Sequence, residues 1–156
     1  MTLAHQFLIR RWRFIRRGTD TLLEAMPADT IAWSPNVKMR PVGDVIRHLI
    51  WSEAQFVGAV ITGTYAPPPF ESLQLECPTL TSLRDRWSAL HRESEVGLKK
   101  LAEADFYREI PSPYDPARKL PAVLVLSFHV EHEIHHRSQL IQYMSLLGVP
   151  VPSVFI

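Results

Sequence analysis

The chain has 156 residues, of which 17 are Lys or Arg and 16 are Asp or Glu, so its formal net charge is +1. A net charge this close to zero argues against a general attraction to nucleic acid or to a membrane surface. The single cysteine, Cys77, excludes an internal disulfide and a thiolate metal cluster, and it favours a reducing compartment.

The length of the chain fits one domain, covering residues 1–156, with enough residues to bury a core. Arg10 and Arg11 interrupt the first apolar residues, so we expect no secretory signal. No window approaches the roughly 20 apolar residues of a membrane-spanning helix. A cytoplasmic protein without a membrane anchor is therefore expected.

The first predicted helix covers 3–26, where apolar residues recur at intervals of three and four and Pro27 ends the pattern. The opposite side of this helix carries Arg10, Arg13, Arg16 and Arg17. They fit either a phosphate-binding patch or an ordinary solvated face. The near-zero net charge favours the solvated face.

Three further helices are predicted along the chain. The second starts at Pro41, whose missing N–H suits a first helical position, and it follows a loop over 28–40. The third is capped by Thr79 or Thr81 and ends near 101, and the fourth covers about 119–147 before Gly148. The proline-rich segments 64–78 and 105–118 are expected to contain no helix. Four helices of roughly 23–29 residues predict an all-α four-helix bundle.

Four of the seven histidines lie in the fourth helix, at 129, 132, 135 and 136. At about 100° per residue, His132 and His136 are about 40° apart on one face, and His129 lies about 20° beyond His136. His135 points elsewhere. Two histidines spaced by four residues can bind one ion together, so the spacing indicates a metal site.

Half-buried histidines satisfied by a neighbour or by water are the alternative interpretation. The face favours the metal, because His132 lies on the inward, apolar stripe of its helix, where imidazoles need a partner. The same residues fit His-Glu-x-x-His, the zinc protease signature. A protease is disfavoured because no histidine or acidic residue follows His136 to supply a third ligand.

Several motifs together resemble the DinB/YfiT-like superfamily of small metal-binding bundles. They are Met26-Pro27, Trp33-Ser34-Pro35, the run from Met39 to Leu49, and the block from His132 to Leu140. The last block is the most specific of them. The resemblance implies an up-down-down-up bundle with a long crossover between helices 2 and 3, which agrees with the proline-rich link over 64–78.

The resemblance also implies a divalent metal held by one histidine of helix two and two of helix four, here His48, His132 and His136. Pro41 and Ser138 depart from the family pattern, in which serine and glycine are usual, and neither is a ligand. Three neutral imidazoles would leave at least one coordination position open, as in catalytic sites. Zn²⁺ or Ni²⁺ is expected first, with Fe²⁺ or Mn²⁺ as alternatives.

By this resemblance the protein is a metal-dependent enzyme acting on a small molecule. It is either an S-transferase that uses a low-molecular-weight thiol, such as bacillithiol or mycothiol, or a hydrolase. The alternative is a stress-linked metal-binding protein without turnover. Haem and nucleic-acid binding are remote, because no distinctive pair of axial ligands is visible and the charge is near neutral.

Other candidates near the ion are less specific. Glu133 and His129 are the candidates for a catalytic role, although Glu133 fits a solvated residue beside the site better. Asp44, one turn before the helix-two histidine, could orient its imidazole. Gln139 and Tyr143 are inward polar residues that could line a pocket.

Family analogy implies a homodimer. Ile50, Trp51 and Val57 lie off the inward stripe of helix two and are compatible with an apolar interface.

Overall fold

The computed structural model describes residues 2–112, 114–115 and 117–155 of the chain. Four long helices contain most of these residues, and the connections between them contain shorter elements. In chain order the elements are α1 (Leu3–Ala25), a 3-10 turn (Ala28–Thr30), α2 (Val42–Thr62), α3 (Phe70–Glu76), α4 (Leu80–Lys100), α5 (Glu103–Tyr107), β1 (Glu109–Pro111), β2 (Lys119–Pro121) and α6 (Ala122–Leu146).

The four long helices form a bundle in which α2 and α4 run in the same direction. Glu53 of α2 contacts Trp87 and His91 of α4, and further along both helices Ile61 packs against Gly97. The segment 63–79 carries the chain back between them. This arrangement confirms the predicted all-α, up-down-down-up bundle with its long crossover.

Local chemistry sets the helix ends. Thr79 and Ser82 form a reciprocal capping box at the start of α4, as the sequence predicts. Pro41 is the N-cap of α2 rather than its first helical residue. At the C-terminal ends, Gly63 and Gly148 adopt φ of 90° and 70°, a left-handed conformation that glycine accepts without strain.

Two segments contain more structure than the sequence indicates. The expectation of no helix over 64–78 is wrong, because the run of prolines ends at Pro69, the N-cap of α3, and Pro78 lies beyond the end of this helix. The segment 105–118 contains the end of α5 and also β1, whose Ile110 pairs with Leu120 of β2. This pairing delays the last long helix until Ala122. Pro113 and Pro116 lie outside the described residues.

The interior has two apolar clusters separated by polar residues. One cluster includes Leu22, Leu49, Leu83 and Leu140, and the other includes Trp12, Phe56, Leu98 and Leu126. In each long helix the positions between the two clusters are polar. We call this set the central polar layer; its members are Arg16, Thr19, Glu53, His91, His129 and Glu133.

Arg16 corrects the interpretation of the arginines of α1. Arg10, Arg13 and Arg17 are exposed, as a solvated face requires, but Arg16 is only 1% exposed. Its guanidinium lies 3.7 Å from the centre of the Trp87 ring and donates two hydrogen bonds to Asp20. A residue that periodicity places at the surface is therefore part of the core.

Candidate metal centre

The three histidines implied by the family resemblance lie together between α2 and α6. His132 and His136 are one turn apart on the face of α6 that meets α2, and His48 approaches them from α2. Each residue offers one nitrogen, and these nitrogens all lie within 4.8 Å of one another. The Nε2 atoms of His48 and His132 are 3.0 Å apart.

This geometry fits a divalent cation. A Zn–N bond is about 2.0–2.1 Å long, so two ligand nitrogens of a tetrahedral ion lie about 3.4 Å apart. The 3.0 Å between the Nε2 atoms of His48 and His132 is close to that value. Two imidazole lone pairs can face each other at this distance only with a proton or a cation between them.

The electrostatics keep the three imidazoles neutral at pH 7. Burial, together with the charges of Arg40 and His136, lowers the pKa of His48 to about 4. Burial and the neighbouring histidines lower the pKa of His132 to about 3, and burial also lowers the pKa of His136. A neutral imidazole keeps a lone pair, which is the form that binds a metal.

Two residues of α6 orient His136. Its Nδ1 lies 2.9 Å from Oε1 of Gln139, whose amide nitrogen donates to the Tyr143 hydroxyl at 2.8 Å. That hydroxyl donates to the carbonyl oxygen of Arg40. Because Nδ1 donates its proton to Gln139, Nε2 of His136 carries the free lone pair. Gln139 and Tyr143 therefore support a histidine of the centre.

A cleft of about 340 Å³ opens at His48. Besides His48, it is lined by Arg40, Asp44, Trp51 and Phe70. Arg40 supplies a positive charge and the two half-buried aromatic rings supply apolar walls. Arg40 and Phe70 were missed in the sequence because they lie outside the helical repeat, in the loop before α2 and at the start of α3.

Asp44 has a different partner from the one expected. Its carboxylate accepts a hydrogen bond from Arg47 at 2.9 Å, and the Arg47 guanidinium also donates to the carbonyl oxygen of Cys77. This pair ties α2 to the connection before α4. Burial raises the pKa of the Cys77 thiol, so this cysteine suits a structural position.

The interpretation of Glu133 as a solvated residue is wrong. It is fully buried and accepts a 2.7 Å hydrogen bond from the Thr19 hydroxyl of α1. Burial raises its pKa to about 7, although Arg16 and Thr19 act in the opposite direction. Its side chain is thus directed at α1 and the polar layer, so the His-Glu-x-x-His pattern does not place a base at the three histidines.

His129 is buried beside the Phe56 ring, and its pKa is lowered to about 4, mainly by burial. Neither of its ring nitrogens has a hydrogen-bond partner within residues 2–112, 114–115 and 117–155. It is not one of the three histidines whose nitrogens converge. His129 therefore belongs to the central polar layer.

Two of the residues assigned to a dimer interface are internal. Ile50 and Val57 are at most 1% exposed and pack in the core of their own chain, and the half-buried Trp51 lines the cleft beside His48. Ile50 and Val57 therefore cannot form an intermolecular face in this structure. In the described part of the chain, no helix is long and apolar enough to cross a bilayer.

Fold and site together define a four-helix bundle with a half-buried three-histidine cluster at one edge. Residues 11–140 match the DinB superfamily, so the chain belongs to this superfamily. The protein YjoA of Bacillus subtilis (strain 168) is 26% identical over 133 residues, which are 85% of this chain and 84% of YjoA.

Solved structures share the fold. The YjoA structure superimposes with a TM-score of 0.75 at 23% identity, covering 94% of this chain and 96% of YjoA. YfiT from Bacillus subtilis, described as a probable metal-dependent hydrolase with an unusual four-helix bundle topology, gives 0.75 at 14% identity, covering 96% and 91%. A mycothiol-dependent maleylpyruvate isomerase gives 0.67 at 17% identity, covering 99% of this chain and 69% of that protein.

Proposed function

We propose that this protein is a divalent-metal-dependent enzyme whose ligands are His48, His132 and His136. The convergence of three neutral imidazole nitrogens within 4.8 Å carries the proposal. Zn²⁺ or Ni²⁺ suits three imidazoles best, with Fe²⁺ or Mn²⁺ as alternatives. The description of YfiT as a probable metal-dependent hydrolase supports the same chemistry for this bundle.

The proposed substrate is a small molecule bound in the cleft at His48. When bound, the ion would act as a Lewis acid that lowers the pKa of a thiol or of water. Trp51 and Phe70 would contact an apolar part of the substrate, and Arg40 would hold an anionic or polarised oxygen. Gln139 would keep His136 in the orientation that the ion needs.

The reaction is a thiol-dependent S-transfer or a hydrolysis. The mycothiol dependence of the similarly folded isomerase supports the first, and the description of YfiT supports the second. A non-catalytic metal-binding protein is the alternative. The pairing of Asp44 favours this alternative. Asp44 is the only carboxylate among the described residues that line the cleft, and its ion pair with Arg47 makes it a poor general base.

Metal analysis of purified variants tests the ligands. Wild type should carry about one equivalent of metal, and His48→Ala, His132→Ala and His136→Ala should each lose most of it. His135→Ala is the matched control, because His135 is exposed on the same helix and lies outside the cluster. Full metal content in all three variants would remove the assignment.

Activity then separates the candidate reactions. Metal-loaded protein is incubated with electrophiles and a panel of low-molecular-weight thiols, and both thiol consumption and hydrolysis products are measured. Loss of thiol that requires protein and metal supports the transferase, and product formed without thiol supports the hydrolase. Metal binding without either reaction supports the non-catalytic alternative.

We also propose that the chain functions as one domain in the cytoplasm and does not bind nucleic acid. We further propose that it forms a homodimer. With Ile50 and Val57 buried, exposed apolar residues of α1 such as Leu3 and Phe7, 84% and 66% exposed, are better candidates for an interface. Light scattering coupled to size-exclusion chromatography measures the oligomeric state, and a monomer at micromolar concentration would contradict the dimer.

A further inference from the structure

A second cleft lies on another edge of the bundle, between α1 and α4, whereas the histidine cluster is formed by α2 and α6. Its volume is about 500 Å³. Its walls include the side chains of Arg10, Arg13, Arg16 and Arg17 from α1 and His91 from α4. We call it the arginine cleft. The proposed metal chemistry uses none of these residues.

Arg16 gives this cleft a fixed positive charge. Its Nε and Nη2 donate to Asp20 at 3.0 and 2.6 Å, and Trp87 lies against the guanidinium plane. Nη1 is buried and has no hydrogen-bond partner among the residues that the structure describes. Because Nη1 is closed off from solvent, Arg16 contributes positive charge to the wall of the cleft, and the exposed arginines of the rim supply the N–H donors that a ligand could reach.

The charges of the lining are unbalanced. Four arginines face two carboxylates, Asp20 and Glu95. Asp20 is bonded to Arg16, and Glu95 is paired with Arg13 at 3.4 Å and with Lys99 at 2.6 Å. The lining thus has two positive charges in excess, while the whole chain has a net charge of +1.

Two buried carboxylates, Glu53 and Glu133, also feel the charge of Arg16. Glu53 lies behind the cleft, but its carboxylate accepts from Trp87 at 2.7 Å and contacts His91 at 3.2 Å. Oε1 of Glu133 accepts from Thr19, whereas its Oε2 has no hydrogen-bond partner among the described residues, and Arg16 lowers the pKa of this carboxyl against the larger effect of burial. Arg10 and Arg17 are exposed to solvent, so an anion that enters the cleft would contact these two residues before Arg16.

We propose that the arginine cleft binds a small multivalent anion, either a phosphorylated molecule or a polycarboxylate. Guanidinium groups bind both kinds of oxyanion through paired N–H donors. The volume is in the range of small-molecule pockets, roughly 300–1,000 Å³, and the Phe14 ring offers an apolar wall. Arg16 supplies a fixed positive charge at the wall of the cleft, and the exposed Arg13 and Arg17 donate hydrogen bonds to the ligand from the rim.

Calorimetric titration at low salt of protein freed of metal with a chelator tests this site, because both probes below also bind divalent cations. The probes are inorganic pyrophosphate for the phosphate source and tricarballylate for the carboxylate source. Arg13→Ala and Arg17→Ala should each weaken binding of the preferred probe by about tenfold, which is the scale of a lost charge-assisted hydrogen bond. Binding should also weaken as salt is added.

Two control variants test whether the probe binds in the arginine cleft. Arg11→Ala removes the same charge from the exposed surface of the same helix but outside the cleft lining, and it should change the affinity less than twofold. His48→Ala should bind the probe like wild type, because the arginine cleft does not include the histidine cluster.

Four outcomes would overturn the proposal: neither probe binds at millimolar concentration, Arg11→Ala weakens binding as much as Arg13→Ala, His48→Ala abolishes it, or a long oligonucleotide binds while both small probes do not. Preference for one probe identifies the phosphate or the carboxylate source. Since the test does not depend on the metal ligands, its failure leaves the proposed enzyme activity standing.

Discussion

The histidine cluster and the central polar layer both use polar residues of α2 and α6, but the surroundings of these residues differ. His48, His132 and His136 are half-buried beside an open cleft, and their free nitrogens converge. Glu53 and Glu133 are fully buried and bonded to side chains of α4 and α1. Burial of polar groups therefore does not by itself indicate a metal site. Nitrogen lone pairs that converge beside a cleft that is open to solvent do indicate one.

His48 and His132 of the cluster respond to pH in the opposite direction from Glu133 of the polar layer. The folded protein holds His48 and His132 neutral, with pKa values of about 4 and 3, so the unfolded chain binds more protons below pH 6.5 and acid destabilises the metal-free fold. Glu133, with a pKa raised to about 7, keeps its proton in the fold above pH 4.5. Rising pH therefore destabilises the fold through Glu133.

The largest effect of a single substitution on the unfolding free energy is expected in the central polar layer. Burial alone would raise the pKa of Glu53, but the hydrogen bond from His91 and nearby positive charge lower it, so a buried anion is held by its partners. Glu53→Ala leaves Trp87 Nε1 and His91 without this acceptor and should cost about 3 kcal/mol of unfolding free energy. Urea denaturation measures this loss.

Glu93→Ala is the matched control for that substitution, because Glu93 is an exposed acid of α4. It should change the unfolding free energy by less than about 0.5 kcal/mol. Metal content should remain at the wild-type level in both variants. If Glu53→Ala removed the metal, the separation of the two regions would be wrong.

The substitution Glu133→Gln isolates the contribution of Glu133 to the pH dependence of the unfolding free energy. This change removes the titrating carboxyl, so the variant should gain stability relative to wild type as pH rises from 5 to 8, by on the order of 2 kcal/mol. Denaturation curves at both pH values, recorded with a chelator present, measure the difference. Glu131→Gln, at an exposed position of the same helix, should show no such trend. A constant difference between variant and wild type would contradict the raised pKa.

The smallest expected effect concerns orientation of His136. Gln139→Leu removes the acceptor of its Nδ1–H and should weaken metal binding by about tenfold while the fold is retained. Competition with a chromogenic chelator measures the affinity. Gln142→Leu makes the same change at an exposed position of α6 and should leave the affinity at the wild-type value. Equal affinities in the two variants would assign Gln139 to packing alone.

A large part of the fold could be predicted because it depends on local patterns. The 3–4 spacing of apolar residues predicts the four long helices, and Thr79 marks the start of α4. The proline-rich link before it predicts the crossover. The spacing of His132 and His136 predicts that both lie on one face, since helix geometry alone decides this.

The sequence by itself therefore determined the four long helices, the family and which histidines share a face. Only the tertiary structure decided which polar residues are internal. Arg16 and Glu133 have polar side chains at positions whose burial depends on the helix opposite, and each is buried because Asp20 or Thr19 provides a partner. Periodicity describes one helix, whereas the environment of a polar group is a property of several helices packed together.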